Sequence, residues 1–317
     1  MYIVTSAKIR EDLQKALLDR FPNENFYFHE NINEAQTNLK NAEILITLGE
    51  DLSREHIEEA VHLKWIMVIS AGMDRMPFQA IKEKGILVTN ARGIHKTPMA
   101  EYTMGMILQT ARQAKILIKH QEQGIWDRSV PMSEISGRTI GILGTGAIGS
   151  EIARLAKAFG MTTLGFNRSG EHAEYVDRMY SKGEELASVL KESDYLVSVL
   201  PTTEETKGFL SLEHFRRMKK SAVFLNIGRG TTVVQDDLIS ALRQGEIAHA
   251  VLDVFEEEPL PANNPLWKMN NVTITPHLSG ISPLYQDRAI QLFAENLEKY
   301  KMKDPLLANI IAVERGY

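Results

Sequence analysis

The sequence predicts an α/β protein built from two parallel-sheet domains, and three observations lead there. Short runs rich in β-branched residues alternate with amphipathic segments of helical spacing, this alternation occurs in two separate series along 317 residues, and a long helical stretch divides them. Parallel strands need crossover connections, which helices supply, so each series reads as a doubly wound sheet covered by helices.

The first series is "YIVT", "EILIT", "WIMVIS" and "ILVTN", interleaved with "REDLQKALLDRF" and "SREHIEEAVHL". Then comes "TPMAEYTMGMILQTARQAKILIKHQ", which has helical spacing and Pro98 near a first turn, so a single long helix is expected. The second series begins at Thr139 with "TIGIL" and continues through "TTLGF", "YLVSVL", "AVFLNI", "HAVLDVF" and "VTITP". A last amphipathic run, "SPLYQDRAIQLFAENLEKYKM", should return the chain to the first domain. The expected division is therefore residues 1–98 with 286–317 in one domain and 99–285 in the other.

Composition narrows the function. With 44% hydrophobic and 24% charged residues the chain is an ordinary globular one, and a formal charge of -5 argues against binding nucleic acid or an anionic membrane. The absence of cysteine removes disulfides, thiolate metal sites and a cysteine nucleophile, and no metal site is expected from other residues. The start of the sequence does not read as a secretory leader, and no run is long enough to span a bilayer, so a cytoplasmic protein acting on small molecules is expected.

The chemistry begins at "TIGILGTGAIGSEIARLAKAFG". Gly144, Gly146 and Gly149 stand in G-x-G-x-x-G spacing, with Ala147 and Ile148 between the last two, after a strand and at the opening of a helix. That is the Rossmann dinucleotide turn, in which Gly144 permits the bend, Gly146 lets a pyrophosphate approach and Gly149 lets helix and strand pack. At the end of the next strand, in "LGFNRSG", an acid would bond a ribose 2′-hydroxyl, but Asn167, Arg168 and Ser169 stand there instead. An acid would repel a 2′-phosphate, whereas a guanidinium fork with amide and hydroxyl donors suits one, so NADP(H) is expected ahead of NAD(H).

Three later strand ends carry Arg229 in "LNIGRG", Glu258 in "LDVFEEEPLP" and His277 in "ITPHLSG". An arginine grips a carboxylate with two prongs, a histidine exchanges a proton near neutral pH, and a carboxylate beside the histidine orients it. Together they describe reduction of a 2-oxo acid. Spacing alone does not choose between Arg229 and Arg92, which ends the similar "VTNARG".

Nearly the whole chain resembles the D-2-hydroxyacid dehydrogenase family, through "LNIGRG", "LDVFEEEPLP" and "PLWKMNNVTITPH" in that order. The resemblance implies a Rossmann cofactor domain with a flavodoxin-like substrate domain, and it selects Arg229 as the clamp for the substrate carboxylate, Glu258 as the partner of the histidine and His277 as the acid/base. It also implies that backbone N–H groups of Ala71 and Gly72, in "SAGMDRMP", hold the substrate, that Leu200 and Pro201 of "VLPTTEETKGFL" line the cofactor, and that Asp253 contacts the nicotinamide carboxamide. The branch of NADPH-dependent glyoxylate and hydroxypyruvate reductases is the most similar, although "HLSGISPLYQDR" lacks the paired glycines common after the family histidine, which leaves the substrate open. A short phosphoglycerate dehydrogenase-like enzyme and a cofactor-sensing corepressor are the alternatives. The resemblance further implies a homodimer, with Trp126 of "QGIWDRSVPMSEISG" either at the contact or buried within the monomer.

Overall fold

The computed structural model describes residues 1–317 except 71, 72, 74, 182, 183 and 314–317. The chain forms two compact units, Met1–His95 with Ser282–Tyr317, and Lys96–Ile281. The sequence-based boundaries fall inside the first turn of one helix and at the start of another, a few residues further along the chain.

In the first unit β1 (Tyr2–Thr5), α1 (Glu11–Arg20), β2 (Asn25–Tyr27), α2 (Ile32–Leu39), β3 (Ile44–Thr47), α3 (Arg54–Glu59), β4 (Trp65–Val68), α4 (Phe78–Glu83) and β5 (Leu87–Asn90) alternate along the chain. All strand pairs are parallel, in the order β2-β1-β3-β4-β5, which is the flavodoxin-like arrangement. Residues of β3 and β4 are buried on both sheet faces, because helices cover each side; this is why those strands read as unbroken apolar runs. Trp65 is fully buried and its indole N–H donates to Thr89 Oγ1 at 2.9 Å, so the ring is enclosed without stranding its one polar atom.

The second unit runs through α5 (Lys96–Ala111), α6 (Ala114–Glu122), β6 (Thr139–Leu143), α7 (Ala147–Ala158), β7 (Thr162–Phe166), β8 (Arg178–Tyr180), α8 (Glu184–Glu192), β9 (Tyr195–Ser198), α9 (Leu212–Arg216), β10 (Val223–Asn226), α10 (Gln235–Gln244), β11 (His249–Leu252) and β12 (Val272–Ile274). The chain then returns to the first unit as α11 (Tyr285–Lys301), whose Ala289, Ile290, Phe293, Ala294 and Leu297 recur at helical spacing and are buried. The seven-stranded sheet is ordered β12-β11-β10-β9-β6-β7-β8 and is parallel throughout, so the order reverses between β6 and β9. That reversal is the topological switch point beside which a doubly wound sheet binds its ligand.

The expected single long helix is instead two. Gln113 adopts a left-handed φ of 54°, and the carbonyl of Ala111, which would have continued the ladder, accepts from the backbone N–H of Ser133 at 2.9 Å. A partner from beyond the helix thus replaces the next turn. The edge strands β2 and β8 were not anticipated; each has three residues and little apolar patterning. Trp126 is 93% exposed and so is not buried within the chain.

His249, at the start of β11, gives the second unit a pH dependence. Burial, helped by the charge of Lys115, pushes its pKa down to about 4, and its Nε2 lies 2.9 Å from Thr273 Oγ1. Between that value and the unfolded one near 6.5 the unfolded chain binds the extra proton, so stability falls as pH drops through this window and rises with pH across it. The loss is expected to approach about 3 kcal/mol by pH 4. Urea unfolding at pH 7 and pH 5 should show it, and His249→Gln should flatten the difference; equal slopes in both proteins would remove His249 as the source.

Candidate active site

Six segments that carry the candidate residues leave the carboxyl ends of neighbouring parallel strands. Gly144 follows β6, Asn167 follows β7, Leu200 lies just beyond β9, Arg229 beyond β10, Asp253 follows β11, and His277 lies beyond β12. Parallel pairing places all of these ends on one edge of the sheet, which is where ligands of such folds bind.

The glycine turn has the shape a dinucleotide needs. Gly144 has a φ of 97°, and its N–H donates to Phe166 O at 2.9 Å, which ties the bend to the adjacent strand. A Cβ on Gly149 would lie 2.1 Å from Gly144 O, so only glycine lets α7 start so close to the turn. A Cβ on Gly146 would meet nothing within 4 Å; here the glycine faces open space. Ala147 is exposed, Ile148 is half-buried, and no side chain caps the start of α7. A bare helix N-terminus bordered by an open glycine suits a pyrophosphate, because its unpaired N–H groups and dipole favour an anion.

At the next strand end two of the three residues tie the turn, and Ser169 Oγ donates to Asn167 Oδ1 at 3.4 Å and accepts from Glu171 N at 3.3 Å. Asn167 shapes the turn: its Oδ1 accepts from Gly170 N at 2.6 Å, and its Nδ2 donates to Thr145 Oγ1 at 2.9 Å and Glu171 O at 3.2 Å. Its amide is thereby committed within the protein, and Arg168 and Ser169 are the exposed side chains of the loop. Leu200 is buried beneath Gly144, and Pro201 is exposed beside it.

The loop of Arg229 is set by two glycines. A Cβ on Gly228 would come within 2.5 Å of Leu200 O, and one on Gly230 would come within 1.9 Å of the Phe255 carbonyl carbon. Neither can be replaced without moving a neighbouring backbone. The half-buried Arg229 donates through Nη1 to Gly228 O at 2.9 Å, while its own carbonyl accepts from Asn226 Nδ2 and Thr232 Oγ1. Arg92 belongs to the first unit, after β5, and its N–H is bonded to Asn90 Oδ1.

Glu258 and His277 meet directly. Glu258 Oε2 lies 2.7 Å from His277 Nδ1, and its Oε1 accepts from Phe255 N at 2.9 Å, so the carboxylate is fixed at one end and orients the ring at the other. Both side chains are solvent-accessible, at 36% and 51% exposure, leaving the ring open to a reactant. His277 holds a φ of 52°, a left-handed conformation that is strained by about 1–2 kcal/mol for a residue with a Cβ. Its N–H donates to Asp253 O at 2.8 Å.

Asp253 was expected to face the nicotinamide carboxamide. It is 0% exposed, and its carboxylate accepts from Thr275 Oγ1 at 2.5 Å, Leu278 N at 2.9 Å and Ser279 N at 2.9 Å. Those bonds hold the turn that carries His277. Sequence reasoning overlooked Thr275, and with it Tyr102, whose hydroxyl lies 2.6 Å from Thr275 Oγ1. The only available signal was a hydroxyl residue beside the histidine motif. Ala71 and Gly72 lie outside the described residues.

Residues 104–279 match the family model described as D-isomer specific 2-hydroxyacid dehydrogenase, NAD binding domain. A glyoxylate/hydroxypyruvate reductase B from Enterobacter sp. (strain 638) is 33% identical over 288 residues, covering 88% of each chain. Among solved structures, a D-isomer specific 2-hydroxyacid dehydrogenase family protein from Aeromonas salmonicida subsp. salmonicida A449 aligns with a TM-score of 0.88 and 34% identity over 98% of both chains. Another such dehydrogenase, from Xanthobacter autotrophicus Py2 in complex with NADPH and MES, gives a TM-score of 0.83 and 27% identity over 99% of both chains.

Proposed function

Since this chain belongs to the D-isomer specific 2-hydroxyacid dehydrogenase family and is a nicotinamide-dependent oxidoreductase, we propose that it reduces a small 2-oxo acid, such as glyoxylate or hydroxypyruvate, to the D-2-hydroxy acid with NADPH as its preferred cofactor. The observation that carries this reading is the 2.7 Å pairing of Glu258 with His277 on the sheet edge that also holds Arg229 and the glycine turn. When bound, the reduced nicotinamide supplies the hydride taken up by the carbonyl carbon. The open N-terminus of α7, with Gly144, Gly146, Ala147, Ile148 and Gly149, holds the pyrophosphate, and Leu200 and Pro201 border it.

Arg229 binds the substrate carboxylate with its guanidinium fork, which fixes the carbonyl in one orientation. His277, with Nδ1 occupied by Glu258, presents Nε2 to the carbonyl oxygen and gives up a proton as that oxygen gains charge. Glu258 offsets the positive charge of the ring before the transfer. Loss of NADPH absorbance with glyoxylate, hydroxypyruvate and phenylpyruvate tests the reading; cofactor binding without turnover on any of them would leave a cofactor-sensing module.

Preference for NADPH rests on the missing acid and on Arg168 with Ser169, while Asn167 fixes the turn that presents them. Hydrogen bonds to charged groups contribute about 1.5–3 kcal/mol, so one guanidinium–phosphate contact corresponds to roughly 10- to 100-fold discrimination, less at high salt. Arg168→Ala is expected to remove most of it in kcat/KM. Equal wild-type efficiencies with NADPH and NADH would mean that the loop has been misread.

The chain is further proposed to act as a cytoplasmic homodimer. Ile118, Ile125, Trp126 and Met132 expose apolar surface on the second unit, which supports a contact between copies there. Light scattering should report twice the chain mass, and Trp126→Glu should lower it; a monomeric wild type at micromolar concentration counts against the dimer.

A further inference from the structure

We propose that Tyr102 is a positioning residue for the reaction, acting through Thr275 and Asp253 to hold the turn that aims His277 at Glu258. The inference rests on the assignment of His277 as the acid/base. Thr275 Oγ1 donates to Asp253 Oδ1 at 2.5 Å, which commits the one proton a threonine hydroxyl has. Tyr102 must therefore donate to Thr275 Oγ1, across the 2.6 Å between them, and the bonds run in one direction from α5 to the buried carboxylate. Such aligned chains strengthen each member. Burial pushes the Tyr102 phenol up to about 12, so it keeps its donor proton throughout the working pH range.

What the chain holds is the backbone around His277. Asp253 takes the N–H of Leu278 and Ser279 on its carboxylate and that of His277 on its main-chain oxygen, and Thr275, on the other side of Pro276, is anchored to the same carboxylate through its hydroxyl. These bonds bracket a histidine in the left-handed region, a conformation that persists only when its surroundings enforce it. Loosening the chain lets the turn relax, and the ring swings out of line with Glu258. Asp253 is the hub, but its replacement would leave three donors unpaired in the interior, so the informative changes are at the far end.

The test compares Tyr102→Phe, Thr275→Val, Thr275→Ser and the Tyr102→Phe/Thr275→Val double variant. Glyoxylate reduction is measured per site titrated by NADPH fluorescence. Misplacement of a reacting group by an ångström can cost about 100-fold, and the relaxation expected here is smaller: a kcat loss of about 10-fold for Thr275→Val and about 3-fold for Tyr102→Phe. NADPH affinity and the number of titratable sites should stay at wild-type levels, Thr275→Ser should retain kcat, and the double variant should be no worse than Thr275→Val. In the cofactor-free protein, deuterium exchange of the peptide spanning residues 272–281 should quicken in Tyr102→Phe and not in Thr275→Ser.

A purely structural role would reduce the titratable sites and leave kcat per site unchanged. That result, unaltered exchange in Tyr102→Phe, or additive losses in the double variant would overturn the proposal. Wild-type turnover in His277→Ala would instead remove the acid/base assignment beneath it, whereas dependence on His277 with indifference to Thr275→Val would sink the positioning role alone.

Discussion

Replacing His277 with alanine is expected to lower turnover by about 100- to 10,000-fold while leaving NADPH affinity within about two-fold, because general acid catalysis commonly contributes that much. The separation of effects follows from geometry. His277 lies on the turn after β12, held by Glu258 at Nδ1, whereas the glycine turn lies after β6, with β9, β10 and β11 between the two strands. Alanine keeps the Cβ and therefore the left-handed strain, and the ring it removes is half exposed, so folding stability should not fall in step with activity. Steady-state kinetics beside a fluorescence titration would check both halves. Wild-type turnover would exclude His277 from the proton transfer, and a matching loss of cofactor affinity would mean that the variant has disturbed the sheet edge as a whole.

The second large effect is expected at Arg229. Arg229→Lys keeps the charge but replaces a planar fork with a point ammonium, and the loss of one charge-assisted hydrogen bond at about 1.5–3 kcal/mol corresponds to roughly 10- to 100-fold in kcat/KM. The loop itself should survive loss of the Nη1 bond to Gly228 O, since Gly228 and Gly230 are packed against the Leu200 and Phe255 backbones and the Arg229 carbonyl is held by Asn226 and Thr232. Arg92→Lys serves as the control, and its kinetics should stay close to wild type. If Arg92→Lys collapses and Arg229→Lys does not, the two assignments are exchanged. The comparison is made with glyoxylate and phenylpyruvate, which share a 2-oxo carboxylate but differ in the remainder, so a loss common to both substrates identifies the carboxylate as the group gripped.

Much of this site was legible because its residues follow strands whose own signal is strong. Runs such as "TIGIL" and "AVFLNI" are apolar on both faces, which a chain tolerates only inside a covered parallel sheet, and the polar residues just after them fall at the ligand-binding edge. The glycine spacing was legible for a similar reason: each glycine answers a local steric demand, and Gly149 meets its obstacle, Gly144 O, within the same turn.

What escaped the sequence were several bonds between partners distant in the chain. The break between α5 and α6 depends on Ser133 reaching the carbonyl of Ala111, and nothing in the helical pattern of residues 97–121 registers that bond. The bonds of Asn167 to Thr145, Gly170 and Glu171 are likewise absent from any local pattern. The burial of Asp253 and its bonds to Thr275, Leu278 and Ser279 have no trace in the pattern of "LDVF".

The sequence by itself determined the two α/β sheets and the glycine turn, because periodicity and turn sterics act over a few residues and leave a local trace; it offered Arg229, Glu258 and His277 as candidates, with Arg229 preferred to Arg92 only through the family resemblance. Only the tertiary structure decided how those groups are held: which carboxylate supports the backbone of the histidine, which amide is committed to a turn, and that Tyr102 reaches Thr275 across 173 positions. Hydrogen bonds act over about 3 Å of space whatever the separation along the chain, so their pairing appears only once folding has brought the partners together.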